Sequence, residues 1–204
     1  MEISKSELRK SLIAKRSGLS TKSVEEKSRQ IAKKMMESDL FLKTKIVSAY
    51  LPIRGEVSTK PIINFLIEAG VEVYLPKSFG EEYKLVRFKS WNDLEKGPYG
   101  ILEPLSPSHP EFSSGSKKML KQVQHDKVDI DLAFIPGVAF DKNGVRLGYG
   151  KGVFDRLFAK SEATLVGLAY EFQIVDELPR EEHDLVMDYV VTPSSVILSG
   201  AKDL

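Results

Sequence analysis

Cysteine is absent from all 204 residues, so the chain builds neither a disulfide framework nor a thiolate metal site, and thiol-based covalent catalysis is excluded. That absence suits a reducing compartment. Long apolar runs are also missing. No segment approaches the roughly 20 apolar residues of a membrane span, and the opening MEISKSELRKSLIAKR lacks the continuous apolar stretch of a secretory signal. A cytoplasmic protein with no membrane partner is expected. Nor does charge of one sign dominate. Thirty Lys and Arg stand against 29 Asp and Glu, a formal net charge of +1, which supplies no global field to attract nucleic acid or an anionic membrane. Any anion site must therefore be local. The closing Ala201-Lys202-Asp203-Leu204 faintly resembles a lumenal retention tetrapeptide, but without an entry signal it reads as a polar tail.

What is present is a series of short, alternating elements, at a length that fits one substantial α/β domain. Ser4 and Glu7 have capping-box spacing ahead of Leu8, Leu12 and Ile13, and Gly18 follows a basic last turn, which predicts a helix over 4–17. Ser23 and Glu26 repeat the signal before Val24, Ile31, Met35 and Met36, predicting a second helix that ends near Asp39. A strand over 46–51, a helix over 61–69 closed by Gly70 and a strand over 71–75 suggest a βαβ crossover and a largely parallel sheet. Residues 83–88 add a further strand, and Gly97-Pro98 opens a loop.

Residues 106–129 carry Pro, Ser, Gly and Lys with little apolar periodicity and read as a surface excursion, with a short helix in KKMLKQVQHDK. Order returns with a strand over 130–136, an Asn143-Gly144 turn inside the loop 139–144, and a helix over 153–160. Strands over 164–170 and 189–192 follow, the latter taken as the last.

The densest chemical signal is RLGYGKGVFDR, residues 146–156. Gly148, Gly150 and Gly152 remove side chains at alternate positions, which lets the backbone approach an anion and turn N–H groups toward it. Arg146, Lys151 and Arg156 add positive charge, and a helix starting just beyond would add its dipole. The usual P-loop is absent because Gly152 follows Lys151, and G-x-G-x-G is a poor match to a dinucleotide fingerprint. Three spaced glycines alone describe a flexible turn. Cations and Asp155 interleaved among them favour a phosphate site.

At these residues the chain resembles the 5-formyltetrahydrofolate cyclo-ligase family, also called 5,10-methenyltetrahydrofolate synthetases. The resemblance covers nearly the whole chain. It is carried by KSELR at 5–9, YLPIRGEV at 50–57, YGILEP at 99–104, FIPGVAFDKNGVRLGYGKGVFDR at 134–156 and HDLVMDYVVTP at 183–193. It implies a three-layer α/β/α sandwich and a reaction that uses ATP and Mg²⁺ to turn 5-formyltetrahydrofolate into 5,10-methenyltetrahydrofolate, ADP and phosphate. A formamide oxygen leaves poorly. Phosphorylating it creates an imidate phosphate that N10 of the same folate attacks, so orientation and charge neutralisation carry most of the catalysis.

The resemblance assigns ATP to Lys5, Ser6, Glu7, Leu8 and Arg9, and to Arg146, Leu147, Gly148, Tyr149, Gly150, Lys151, Gly152, Val153 and Phe154. The i, i+4 spacing of Lys5 and Arg9 puts both on one helix face, where they otherwise read as a solvated basic face. Arg146 and Lys151 are the catalytic candidates, Lys151 following charge on the transferred phosphoryl group. Folate falls to Leu51 and Glu56, together with Tyr149 to Val153 (Gly150, Lys151 and Gly152 between them); core packing and an exposed loop charge are the plainer readings of Leu51 and Glu56. Trp91, Phe140 and Tyr50 are weaker stacking candidates. Asp155 and Asp184 correspond to magnesium positions, with hard oxygen donors that suit the ion, whereas His183 reads as structural. Val153 and Phe154 stand where the family commonly has two tyrosines. Competing readings are a small-molecule kinase or ligase, and a non-catalytic folate sink or RNA module using the first helix and the 117–127 loop. A single-chain enzyme with ATP and a reduced folate as partners, working as a monomer, is the leading expectation.

Overall fold

The computed structural model describes residues 4–105, 128–181 and 184–199; most of the expected 106–129 excursion, His183 and the last residues lie outside them. The first helix, α1 (Lys5–Ser17), begins as its sequence predicts: the Ser4 hydroxyl accepts from the Glu7 backbone N–H, and the Glu7 carboxylate accepts from Ser4 N–H. For α2 (Thr21–Met36) the cap lies one turn earlier than expected. Ser20 accepts from Ser23 N–H, so Ser23 sits inside the first turn, and the helix stops at Met36 ahead of a short 3₁₀ turn, Asp39–Phe41. The third helix, α3 (Lys60–Glu68), tolerates Pro61 because its first turn needs no intrahelical donor.

Seven strands form the main sheet. In chain order they are β1 (Ile46–Ser48), β2 (Glu72–Phe79), β3 (Glu82–Phe88), β6 (Leu132–Ile135), β9 (Thr164–Leu168), β11 (Tyr189–Val191) and β12 (Val196–Leu198). Their spatial order is β12-β11-β9-β6-β1-β2-β3. The five inner strands run parallel, and the edges β3 and β12 are antiparallel to their neighbours. The short strand β12 went unread in the sequence, so the strand at 189–192 is not the last. Two smaller sheets complete the fold: the hairpin of β4 (Leu94–Lys96) with β5 (Leu102–Pro104), and a sheet of β7 (Ala139–Asp141), β8 (Arg146–Leu147) and β10 (Ile174–Val175). The Asn143-Gly144 turn thus joins two paired strands rather than lying in a plain loop.

Alternation along the strands divides the core in two. On β6, Leu132 and Phe134 face α2 and α3 through Ile31, Met35, Ile62 and Leu66, while Ala133 and Ile135 face the other way. That second face is covered by α4 (Val153–Phe158) and by Phe140 of β7. The result is the expected layered α/β arrangement about a mostly parallel sheet. Helix α1 packs on the small sheet, where Leu12 meets Val138, Val145 and Leu147. Among the described residues no helix is long and apolar enough to cross a membrane.

The connections leaving β1 and β6 run in opposite directions, since β1 leads to β2 on one side and β6 to β9 on the other. Parallel sheets open a crevice beyond the carboxyl ends of strands at such a reversal. The segments that follow β1 and β6 carry the residues that matter below.

Candidate active site

Two arginines from distant parts of the chain close on one glycine. Arg9 Nε donates to the carbonyl of Gly148 at 2.9 Å. A side-chain carbon at Gly148 would sit 2.7 Å from Nη1 of Arg146, so the absence of one there makes room for the second guanidinium. Arg146 is 8 % exposed; its Nη1 donates to the Pro136 carbonyl at 3.1 Å and its Nη2 to Asp155 Oδ1 at 2.7 Å. Its Nε is buried with no hydrogen-bond partner among the described residues. A buried donor without an acceptor is costly, and here it fits an anion.

The acidic residues join the same cluster. Leu185 N–H reaches Asp155 Oδ1 at 3.4 Å, and the neighbouring Asp184 accepts from Glu181 N–H at 2.9 Å and lies 3.6 Å from Lys5 Nζ. Lys5 also pairs with Glu181 at 3.2 Å. Burial raises the Asp155 carboxyl, but the Arg146 guanidinium and its hydrogen bond outweigh this and hold it below its usual 3.8. It is therefore an anion at neutral pH. Among the described residues no group of three or more metal-ligating side chains occurs. Two carboxylates nonetheless match Mg²⁺, which takes one or two from a protein and the rest from phosphates and water.

Within the glycine-rich run, Gly150 (φ 89°) and Gly152 (φ 60°) adopt left-handed conformations that glycine allows cheaply. Arg156 Nη1 donates to the Lys151 carbonyl at 2.9 Å and braces the turn. Lys151 is exposed at its apex. Only six residues long, α4 adds a smaller dipole than the sequence suggests. Of the KSELR segment, Lys5 and Arg9 face this cluster, Glu7 is occupied by the cap, Ser6 is exposed and Leu8 packs beside Leu12. Leu147 is core.

A second half lies on the segment after β1. Leu51 lines a cavity of about 440 Å³ with Ile53, Lys60, Trp91 and Ile101. Glu56 is only 4 % exposed rather than a loop charge. Its Oε2 accepts from Ile53 N–H at 3.0 Å and its Oε1 from the Tyr149 hydroxyl at 3.1 Å. Tyr149 thereby ties the folate candidates to the glycine-rich run. Val153 lies instead on a smaller cavity with Glu81, Tyr83 and Arg156, so the structure separates it from Leu51. Phe154 packs against both cores. Trp91 remains accessible as a stacking surface, whereas Tyr50 and Phe140 are buried, the latter against Gly137 and Gly167, and cannot stack on a ligand.

One residue of this centre is missing from the expected set. Arg16 is 1 % exposed and lies 3.5 Å from Glu56 Oε1. Its signal was readable: at 100° per residue Lys5, Arg9 and Arg16 fall within roughly 40° of one another on α1.

The profile of the 5-formyltetrahydrofolate cyclo-ligase family matches residues 1–193, and the chain belongs to that family. A probable 5-formyltetrahydrofolate cyclo-ligase of Caenorhabditis elegans is 29 % identical, over 95 % of this chain and 95 % of its own. The NMR structure of the Aquifex aeolicus 5,10-methenyltetrahydrofolate synthetase superposes with a TM-score of 0.78 at 34 % identity, covering 98 % of this chain and 95 % of that one. The Mycoplasma pneumoniae 5,10-methenyltetrahydrofolate synthetase shares the fold at a TM-score of 0.68 and 24 % identity, over 94 % and 99 % of the two chains.

Proposed function

We propose that this protein converts 5-formyltetrahydrofolate to 5,10-methenyltetrahydrofolate with cleavage of ATP to ADP and phosphate. The observation that carries the reading is the meeting of Arg9 and Arg146 at Gly148, with Asp155 paired to Arg146 and Lys5 beside Asp184. Five charged groups from three segments converge on a glycine-rich turn, an arrangement that suits an anion of high charge. All come from one chain, so a monomer suffices, and residues 1–204 act as one domain.

In this reading Lys5, Arg9 and Arg146 hold the nucleotide phosphates, with backbone N–H groups of residues 147–154 around them. Asp155 and Asp184 hold Mg²⁺, which when bound neutralises phosphate oxygens. Lys151, exposed at the turn, follows the phosphoryl group as charge develops on it. The formyl oxygen of the folate attacks the terminal phosphorus and ADP leaves. N10 then attacks the resulting imidate carbon and gives up its proton to solvent, and the C–O bond breaks to release phosphate as the ring closes. Both reacting nitrogens belong to one molecule, so the protein contributes orientation: Leu51 supplies an apolar wall, and Glu56 accepts hydrogen bonds from pterin N–H groups.

Purified protein incubated with 5-formyltetrahydrofolate, ATP and Mg²⁺ should generate the near-ultraviolet absorbance of the methenyl product, dependent on both added components. Folate binding with no ATP-dependent product would instead identify a sink.

A further inference from the structure

Between the segments that follow β1 and β6, one buried side chain touches everything around it. Arg16 Nε donates to the Arg54 carbonyl at 3.1 Å, Nη1 donates to the Gly137 carbonyl at 3.0 Å, and Nη2 donates to the Tyr149 hydroxyl. Its main chain takes part as well, since a side-chain carbon at Gly55 would stand 2.8 Å from the Arg16 carbonyl oxygen. The turn at 53–56 is thus clasped by a single residue of α1. That turn has the type I′ signature: Arg54 (φ 48°) and Gly55 (φ 73°) are both left-handed, and Glu56 N–H returns to the Ile53 carbonyl at 3.0 Å. A non-glycine residue keeps such a conformation where its surroundings fix it, and here the Arg16–Arg54 hydrogen bond does so.

We propose that Arg16 is the positioning residue of the folate half of the site: it fixes the 53–56 turn and the Glu56 carboxylate, and through the Tyr149 hydroxyl it locks that carboxylate to the glycine-rich segment. The inference rests on the reading of Glu56 as a folate contact. Hydrogen-bond directions are consistent along the chain, because the Tyr149 oxygen accepts from Arg16 while its proton goes to Glu56. Burial pushes the Tyr149 hydroxyl up to about 12, so it remains a donor at any working pH.

Glu56 needs this support. Burial raises its carboxyl above the usual 4.5; the Arg16 guanidinium is the strongest opposing influence, followed by Ile53 N–H, the Tyr149 hydroxyl and Arg54. Tyr50 and Tyr170 also face it, and burial keeps both neutral. A protonated Glu56 would lose acceptor capacity toward pterin N–H groups. Removing Arg16 must therefore carry protonation of Glu56 to higher pH, and folate binding registers that change only where the Glu56 carboxylate meets the folate.

The test is equilibrium titration of the full chain with 5-formyltetrahydrofolate without ATP, from about pH 5 to about pH 9, with separate ATP titrations. Arg16→Met should weaken folate binding about tenfold, raise the acidic limb of the binding profile by about one pH unit, and leave ATP affinity within about twofold. Arg16→Lys should return the limb toward its original position without restoring full affinity, because the planar fork is lost. Should Arg16→Met not fold, Tyr149→Phe shifts folate affinity and the acidic limb in the same directions with smaller size. Equal losses of folate and ATP affinity, or an unmoved acidic limb, would overturn the proposal. Glu56→Gln measured alongside separates the two ideas. Full folate affinity in that variant removes Glu56 from the folate site altogether, whereas weak binding there with full affinity in Arg16→Met rejects the positioning role alone.

Discussion

Arg9 and Gly148, 139 residues apart in sequence, are joined by a 2.9 Å hydrogen bond from guanidinium to carbonyl. The bond fastens the first turns of α1 to the turn proposed to cradle phosphate. It uses only Nε, and the rest of the guanidinium lies about 4 Å from where a side chain would begin at Gly150. Arg9→Met should therefore raise the KM for ATP about tenfold, as expected for one charge-assisted contact, and alter the KM for folate little. Steady-state kinetics with each substrate varied in turn checks this; a loss confined to folate would place Arg9 in the wrong half.

Much of this centre was legible in the sequence, and the reason differs from residue to residue. Alternating glycines and interleaved cations announce a backbone that must approach an anion, so the run at 146–156 could be read locally. The caps of α1 and the apolar periods of the inner strands are local signals too. Arg16 shares the helix face of Lys5 and Arg9, but its role depends on where the turn after β1 folds, and the spacing along α1 does not encode that. Glu56 looked like a loop charge for the same reason, and the two-residue β10 pairs with β7 through contacts rather than propensity.

Arg146 and Asp155 form the most enclosed ion pair of the phosphate half, at 2.7 Å with side chains 6 % and 16 % exposed. Asp155→Asn leaves a buried guanidinium without its counter-charge and should cost about 3 kcal/mol of stability. The pH dependence has a definite sign. The folded Asp155 carboxyl titrates below 3.8, so its contribution is present above that pH and is lost as pH falls through the lower, folded value. Thermal unfolding of wild type and Asp155→Asn should differ most at neutral pH and converge as pH falls through the lowered, folded value of Asp155. A gap of constant size across that range would show that the pair does not carry the effect.

Lys151 stands exposed on the turn, and its backbone carbonyl, not its side chain, receives the Arg156 brace. Lys151→Ala should leave the melting temperature nearly unchanged, since surface substitutions usually fall within about 0.5 kcal/mol. Turnover should drop at least about a hundredfold if the ammonium neutralises the transferred phosphoryl group. The informative pattern is a fall in kcat with little rise in the KM for ATP; equal loss of folding and activity would remove Lys151 from the catalytic group.

Two glycines four residues apart should respond to alanine in different ways. At Gly144 (φ 80°) an added carbon would lie 2.3 Å from the Met187 carbonyl oxygen, which is backbone and cannot swing aside. Gly144→Ala also forces a left-handed alanine, so a loss of more than about 2 kcal/mol is expected in urea unfolding. At Gly148 the obstacle is Nη1 of Arg146, the end of a side chain that can move. Moving it breaks the bonds to Pro136 and Asp155. Gly148→Ala should therefore bind ATP at least about tenfold more weakly, because the guanidinium leaves the phosphate position. Wild-type ATP affinity in Gly148→Ala, measured by calorimetric titration, would show that Arg146 does not serve the nucleotide from where it now lies.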